Sequence, residues 1–323
     1  MYLLNLFITG ITGFVGRAIA LVAERQGMIV TGQAIHRKHQ RFPTELLSID
    51  RNTDWANCLY NVDCVIHCAA RVHQIRDPQT SPLDAYREVN TLGTLALAKQ
   101  SAQAGVKRFI FISSIKVNGE FTKSDQPFVE DVHCAPGDPY GLSKYEAEQG
   151  LLALSQETEM EVVIIRPPLV YGPGVKANFL SMMNWIYKKV PLPLGAIDNK
   201  RSLVFINNLV DFILIATTHP NAANQTFLVS DDQDVSVTQL LNLIANSMAT
   251  SSMLIPLPKS LLFTMLRLLG KRNEARKLMD SLQLDINKAK QHLNWSPKYT
   301  FDEGVKLTVQ DYLEHKKGKS END

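Results

Sequence analysis

The sequence predicts an α/β chain built on a doubly wound parallel sheet. Three observations carry that reading. Short, nearly continuous apolar runs alternate with helical patterns through the first half, a glycine-rich turn follows the first run, and polar residues cluster where the runs end. Strands apolar along their whole length belong to parallel sheets covered by helices on both faces. Ligands of such sheets bind beyond the carboxyl ends of the strands.

Leu3-Leu4-Asn5-Leu6-Phe7-Ile8 reads as the first buried strand and runs into Thr9-Gly10-Ile11-Thr12-Gly13-Phe14-Val15-Gly16. A helical pattern follows at Ala18, Ile19, Leu21 and Val22 and closes at Gly27, before a second strand over residues 28–34. Strand, glycine turn, helix and strand make the context of a dinucleotide site, as in a Rossmann domain. The glycines at 10, 13 and 16 are three residues apart, whereas the dehydrogenase form is GxGxxG. Glycine permits a tight turn and lets backbone N–H groups approach a pyrophosphate, which the positive end of the next helix also favours.

Further strands fall at 62–68 (VDCVIHC), 109–113 (FIFIS) and 162–166 (VVIIR), with helices around 83–104 and 143–157. Residues 67–70 and the pair Ser113-Ser114 therefore lie at strand ends. In Tyr140-Gly141-Leu142-Ser143-Lys144 the tyrosine and lysine are spaced i, i+4, neighbours on a helix. An ammonium placed beside a phenol favours ionisation of a group whose free pKa is about 10.

A chain of 323 residues, 45% hydrophobic, holds one large domain and a smaller partner. A net charge of +2 and the absence of a basic stripe interleaved with aromatics argue against nucleic acid. Cys58, Cys64, Cys68 and Cys134 lack paired metal spacing and read as reduced thiols, with no metal site. The apolar start has no basic lead and is interrupted by Asn5, three glycines and Arg17, so it is neither a signal peptide nor a span of about 20 apolar residues. Residues 253–270 are apolar but broken by Pro256, Pro258, Lys259 and Arg267. They read as a packed helix, with peripheral lipid contact left open. The tail 316–323 reads as disordered, and the chain as a cytoplasmic enzyme with no integral membrane segment.

Seven motifs in order give the chain a resemblance to the extended short-chain dehydrogenase/reductase family, within it to the nucleotide-sugar epimerases, dehydratases and 4-ketoreductases. They are TGITGFVG at 9–16, VIHCAA at 65–70, VNTLGT at 89–94, SSIKVNG at 113–119, YGLSK at 140–144, RPPLVYGPG at 166–174 and LNWSP at 293–297. The resemblance implies that Tyr140 relays protons, that Lys144 lowers its pKa and holds the nicotinamide ribose, and that Ser114 hydrogen-bonds the reacting sugar oxygen. It places cofactor contacts at Gly10, Thr12, Gly13, Phe14, Val15 and Gly16, at Cys68, Ala69 and Ala70, and at Asn90 and Pro167.

It also implies a dinucleotide-binding domain over 1–166, rejoined by segments around 202–230, a smaller α/β nucleotide-sugar domain over 167–315, and a homodimer. In the smaller domain Asn178 and Arg201 match the diphosphate-binding pair, and a guanidinium fork suits that group. Arg276, or alternatively Arg272, matches a second clamp, and Leu192 and Leu194 fall on the substrate side.

Two departures narrow the chemistry. Where dehydratases carry an Asp-Glu pair this chain has Ile115 and Lys116, which cannot serve as paired carboxylate acid and base. The role of Lys116 stays open between binding a substrate oxygen and pointing outward. Where NAD-dependent members end the second strand with an acidic residue, this chain has Ala34, followed by Ile35-His36-Arg37-Lys38. Arg37 and Lys38, with His36 beside them, suit a 2′-phosphate, which favours NADP(H) over NAD(H). Ser48-Ile49 or Asp50 replaces the usual adenine-contacting Asp-Ile pair.

The resulting expectation is a 4-ketoreductase reducing UDP-2-acetamido-2,6-dideoxy-4-hexulose to UDP-N-acetylquinovosamine for surface polysaccharide such as O-antigen. The runner-up is a 4-epimerase of UDP-glucose or UDP-N-acetylglucosamine with tightly held NAD. A cofactor-sensing regulator without chemistry is the third reading. Such proteins typically lose the tyrosine or the lysine, and here both are present with Ser114.

Overall fold

Seven strands pair side by side in one direction, in the order β3-β2-β1-β4-β5-β6-β9. The computed structural model describes residues 3–36, 41–72, 81–123, 126–132 and 134–320, without the side chains of 272–274 and 318–320. Strand β1 (Asn5–Thr9) leads through helix α1 (Phe14–Arg25) to β2 (Ile29–Ala34) and β3 (Thr44–Leu46). The chain then crosses to β4 (Cys64–His67), on the other side of β1. That reversal opens a crevice between the carboxyl ends of β1 and β4, the place where such sheets bind ligands. Helix α2 (Pro82–Tyr86), a π-helical turn (Arg87–Gly93) and α3 (Thr94–Gln103) lead to β5 (Arg108–Ile112). Helix α4 (Pro139–Glu157) precedes β6 (Glu161–Arg166).

Side-chain alternation divides the interior into two cores. Leu6, Ile8, Ile66, Ile110, Val163 and Ile165 face one side, while Phe7, Val65, Phe109, Phe111, Val162 and Ile164 face the other. The strands look uniformly apolar in sequence because both faces are covered.

After β6 come β7 (Leu169–Tyr171), α5 (Ala177–Tyr187) and β8 (Arg201–Phe205), then α6 (Ile206–Ala216), β9 (Gln225–Leu228) and β10 (Asp234–Val235). Strand β9 returns to the large sheet beside β6, whereas β10, β8 and β7 form a second sheet. Helix α7 (Val237–Ser247) starts from a reciprocal capping box between Ser236 and Gln239. Helices α8 (Lys259–Leu268), α9 (Arg272–Met279), α10 (Asn287–Leu293) and α11 (Phe301–Ser320) complete the chain. Among the described residues no helix is long and apolar enough to cross a membrane.

Three local expectations change. Helix α4 begins at Pro139 rather than 143, because proline is tolerated in a first turn, where its missing N–H has no partner to lose. The single helix expected over 83–104 is interrupted by the π-helical turn, whose Gly93 packs so closely on Ile49 that a Cβ would lie 2.7 Å from Ile49 Cγ2. Residues 316–320 are helical, not disordered: α11 runs on to Ser320, and the Lys316 ammonium lies 5.5 Å from the Tyr312 ring centre and 5.7 Å from that of Tyr187. Residues 321–323 lie outside the described residues.

One buried ion pair ties α4 to β6. Arg166 and Glu148, 5% and 0% exposed, meet at 2.6 Å. Ser113 donates to the same carboxylate at 2.5 Å, and Arg166 also donates to Asn118 Oδ1 and the Glu130 carbonyl. Removing one partner leaves an uncompensated buried charge. Glu148→Ala should therefore lower stability by about 3–5 kcal/mol in urea titrations. Glu24→Ala, which breaks an exposed pair with Arg41, should leave the curve nearly unmoved. Equal shifts in the two variants would contradict this account.

Candidate active site

The turn after β1 is built to the limit of what backbone can approach. Gly10 has φ +63°, and a Cβ there would lie 3.1 Å from Ala69 Cα; one on Gly16 would lie 2.4 Å from the Gly10 carbonyl oxygen. Only glycine fits such a close approach. Helix α1 opens after Gly13 with no side-chain cap and no acidic residue in its first turn. The amides of Phe14, Val15 and Gly16 thus belong to a helix end whose first N–H groups have no intrahelical acceptor. Together with the half-buried Thr12 beside them, this donor set fits a dinucleotide pyrophosphate.

Beneath the turn a buried hydrogen-bond chain registers four segments. The His67 ring meets Thr9 Oγ1 through Nδ1 at 2.7 Å and Thr94 Oγ1 through Nε2 at 2.9 Å, and it stacks on Phe111. Thr94 spends its own hydroxyl proton on the Asn90 carbonyl at 2.7 Å, so it accepts from Nε2–H, and Thr9 donates to Nδ1. Thr9 also accepts from the Ala69 amide at 3.2 Å. Those bonds assign a neutral imidazole, and burial with the nearby Lys144 charge pushes the His67 pKa down to about 3.

The buried Asn90 side chain continues the chain. It exchanges hydrogen bonds with the backbone of Arg71 and donates to Ser143 Oγ, which in turn donates to the Tyr140 carbonyl. Asn90 here braces strand end against helix. Its position in a π-helical turn is one that recurs at functional sites.

Tyr140 lies in the first turn of α4, half-buried and edge-on to Tyr86 at 5.9 Å. Lys144 is 1% exposed; its Nζ donates to the Ile112 carbonyl at 2.7 Å and lies 3.9 Å from the centre of the Phe111 ring. Burial pushes the lysine down to about 7 against the carboxylate of Glu148, and pushes the tyrosine up to about 12, helped by Asp138 and Tyr86. The expectation that Lys144 lowers the phenol pKa is therefore not met in this state. Helical spacing brings the two residues near each other, but the ammonium turns to a carbonyl of β5.

Ser114 caps the 3-10 turn Ile115–Val117 and accepts from the Lys116 amide at 3.3 Å. Lys116 is 3.1 Å from Asp138 and 3.5 Å from Glu120, and its Nζ stands 5.8 Å from the centre of the Tyr140 ring. It is neither solvated alone nor turned away. The Pro167 carbonyl accepts from the Ile115 amide at 3.0 Å and so backs the same turn. Cys68, Ala69 and Ala70 line the far side, half-buried, after β4.

At the adenosine end, Ala34 is 2% exposed and His36 is exposed, while Arg37 and Lys38 lie outside the described residues. Ser48 is exposed and donates to Asp50, whereas Ile49 is buried against Gly93. The buried Gln33, passed over in the sequence, accepts from the Gly10 amide at 3.0 Å and donates to the Leu47 carbonyl. A glutamine inside an apolar strand was the available signal. Asp138 and the Glu148–Arg166 pair were likewise missed.

In the second half Arg201 donates from Nη1 to the carbonyls of Lys277 and Asp280 at 3.0 and 3.1 Å, and desolvation pushes its pKa down. Arg276, half-exposed, lies 4.9 Å from the Phe121 ring and 3.7 Å from the Asp280 carboxylate. The two guanidiniums thus converge on one end of α9. Asn178 is exposed in the first turn of α5, after Ala177 with φ +52°. Leu192 and Leu194, expected on the substrate side, pack into the core at 9% and 6% exposure because their segment bonds to Leu254 and Thr238. The Arg272 side chain is outside the described residues.

The model of the NAD dependent epimerase/dehydratase family matches residues 6–230. A UDP-glucose 4-epimerase of Vibrio cholerae is 47% identical over 314 residues, 96% of each chain. The N-acetyl-alpha-D-glucosaminyl-diphospho-ditrans,octacis-undecaprenol 4-epimerase of Escherichia coli O157:H7 is 27% identical over 330 residues, 97% of this chain and 96% of its own. Among solved structures, an Agrobacterium tumefaciens short-chain dehydrogenase/reductase superfamily protein with bound NAD superposes with a TM-score of 0.79 at 20% identity, covering 98% and 99% of the two chains.

The neutral His67 has a measurable consequence. Its folded pKa, about 3, lies below its ordinary 6.5, so the unfolded chain binds the extra proton between those values. Stability from this group is complete above pH 6.5 and is lost as pH falls toward 3, at up to about 1.4 kcal/mol per pH unit. His67→Gln should flatten the pH dependence of the melting temperature in that window; parallel curves for both proteins would refute the assignment.

Proposed function

Because the chain belongs to the NAD dependent epimerase/dehydratase family, we propose that it is a UDP-sugar 4-epimerase that retains NAD between turnovers. The observation that carries this reading is the 47% identity, over nearly the full length of both chains, to a UDP-glucose 4-epimerase. It reverses the order expected from sequence, which put the 4-ketoreductase first. The reductase stays as second reading on one observation, the buried Ala34 where an NAD-binding carboxylate is expected.

The glycine turn and the first turn of α1 would hold the pyrophosphate, with Asn90 bracing the segments around the nicotinamide end and Lys144 meeting its ribose. When bound, NAD supplies a reversible hydride acceptor beside the sugar C4. Tyr140 takes the proton of the 4-hydroxyl as that carbon becomes a ketone and returns it when the carbon is reduced from the other face. Ser114 hydrogen-bonds the oxygen throughout. A phenol held near 12 stays protonated at neutral pH and cannot take that proton, so nearby cations must favour its ionised form in the loaded enzyme. Lys116, 5.8 Å from the ring centre, and Lys144, one helical turn on, are those cations. Epimerisation also requires the keto-sugar to turn over while its nucleotide end stays fixed. Arg201, Arg276 and Asn178 would supply that anchoring.

Denaturing the purified protein and assaying the released dinucleotide separates the readings. Retained NAD, with interconversion of UDP-glucose and UDP-galactose or their N-acetyl counterparts without added cofactor, is the expected result. An empty protein that oxidises NADPH only with a UDP-4-keto sugar would establish the reductase instead. Tyr140→Phe should lower turnover at least about 100-fold and leave dinucleotide retention intact; near-normal turnover would remove it from the mechanism. Arg201→Ala should weaken UDP binding by about 1.5–3 kcal/mol without loss of dinucleotide, and calorimetry showing equal loss of both would mean misfolding.

A further inference from the structure

Helix α8 is apolar on two faces. Leu262, 3% exposed, packs inward with Phe263 and Leu266, as a surface helix requires. Leu261, Met265 and Leu268, spaced i, i+4, i+7, form a second stripe facing away from that core, 49%, 47% and 82% exposed. Leu269 at 69% extends it, and Met253 and Ile255, 48% and 51% exposed, precede it in the chain. Scattered exposed hydrophobic residues need no explanation, but Leu261, Met265 and Leu268 on one helix face, followed by Leu269, make a patch.

The charge along this segment is predominantly positive. From 259 to 277 the chain carries Lys259, Arg267, Lys271, Arg272, Arg276 and Lys277 against the single carboxylate of Glu274. Lys259, Arg267 and Lys271 are exposed, and among the described residues the ion pair they make is the long Lys259–Asp198 contact at 3.8 Å. A second copy docked here about a two-fold axis would set this cationic surface against itself. An anionic lipid surface complements both the charge and the apolar stripe.

We propose that α8 and the segment before it dock on an anionic phospholipid bilayer, with Leu261, Met265 and Leu268 entering the acyl boundary and Lys259, Arg267 and Lys271 among the headgroups. At ten residues the helix lies in the interface rather than crossing it. Helix α9 packs on α8, and its carbonyls hold Arg201, so docking brings the candidate diphosphate end of the site close to the membrane. The proposal is independent of whether the chain epimerises or reduces its sugar.

The test is co-sedimentation of the full chain with phosphatidylcholine vesicles made with and without phosphatidylglycerol. The protein should pellet with the anionic vesicles at low salt, stay in solution with pure phosphatidylcholine, and be released as salt screens the cations. Met265→Glu with Leu268→Glu should lower the partition coefficient at least about tenfold at unchanged melting temperature, since both side chains are exposed. Arg267→Glu with Lys271→Glu should lower binding and flatten its salt dependence. Wild-type protein that ignores anionic vesicles, or a Met265/Leu268 variant that binds them equally, overturns the proposal. So does a lipid-free wild-type oligomer that this variant converts to monomer, because the stripe is then an interface between copies.

Discussion

A neutral histidine in the interior holds the site in register. His67 ends β4, and its two ring nitrogens join Thr9 at the end of β1 to Thr94 at the start of α3. Through Thr9 the chain reaches the Ala69 amide, and through Thr94 the Asn90 carbonyl. Asn90 then binds Arg71 and Ser143, and Ser143 binds the Tyr140 carbonyl. The glycine turn and the candidate catalytic helix are thus linked by hydrogen bonds between buried groups. Each is costly to leave unpaired away from water, which is why the arrangement is specific.

Charge is arranged with the same economy. Lys144 is buried with an apolar ring on one side and a carbonyl as its acceptor, and Glu148, one turn further along α4, is the opposing charge that favours its protonated form. Glu148 is itself neutralised by Arg166 and bonded by Ser113. Burial draws both Tyr140 and Lys144 toward their neutral forms. Lys116, held by Asp138 at the head of the same helix, stands 5.8 Å from the centre of the phenol ring. The Ile115-Lys116 pair thus puts a positive charge beside Tyr140, the candidate acid-base residue.

The second sheet and its helices bring two guanidinium groups together. Arg201 leaves the edge of β8 toward the carbonyls of α9, and Arg276 comes from α9 itself. Both are gathered around Asp280, although 75 positions separate them in the chain. The same small region carries the apolar stripe of α8, so the candidate diphosphate end and the proposed membrane-facing surface belong to one structural unit.

Much of this architecture was legible in the sequence. Parallel strands buried on both faces must be apolar throughout, so β5, expected over 109–113, is found at 108–112. The glycine turn was equally plain, because an approach of 2.4 Å admits no side chain. What the sequence could not decide is where a polar side chain finds its partner across the fold. Gln33 reaches the Gly10 amide only because β2 lies against β1, and Asn90 needs Arg71 and Ser143, 19 and 53 residues away. Lys144 has the predicted spacing from Tyr140, yet its proton goes to Ile112 on another element. Local pattern determines which residues are buried and in what periodicity. Hydrogen-bond direction, and with it the protonation of the site, depends on distances between segments that only the packed tertiary structure sets.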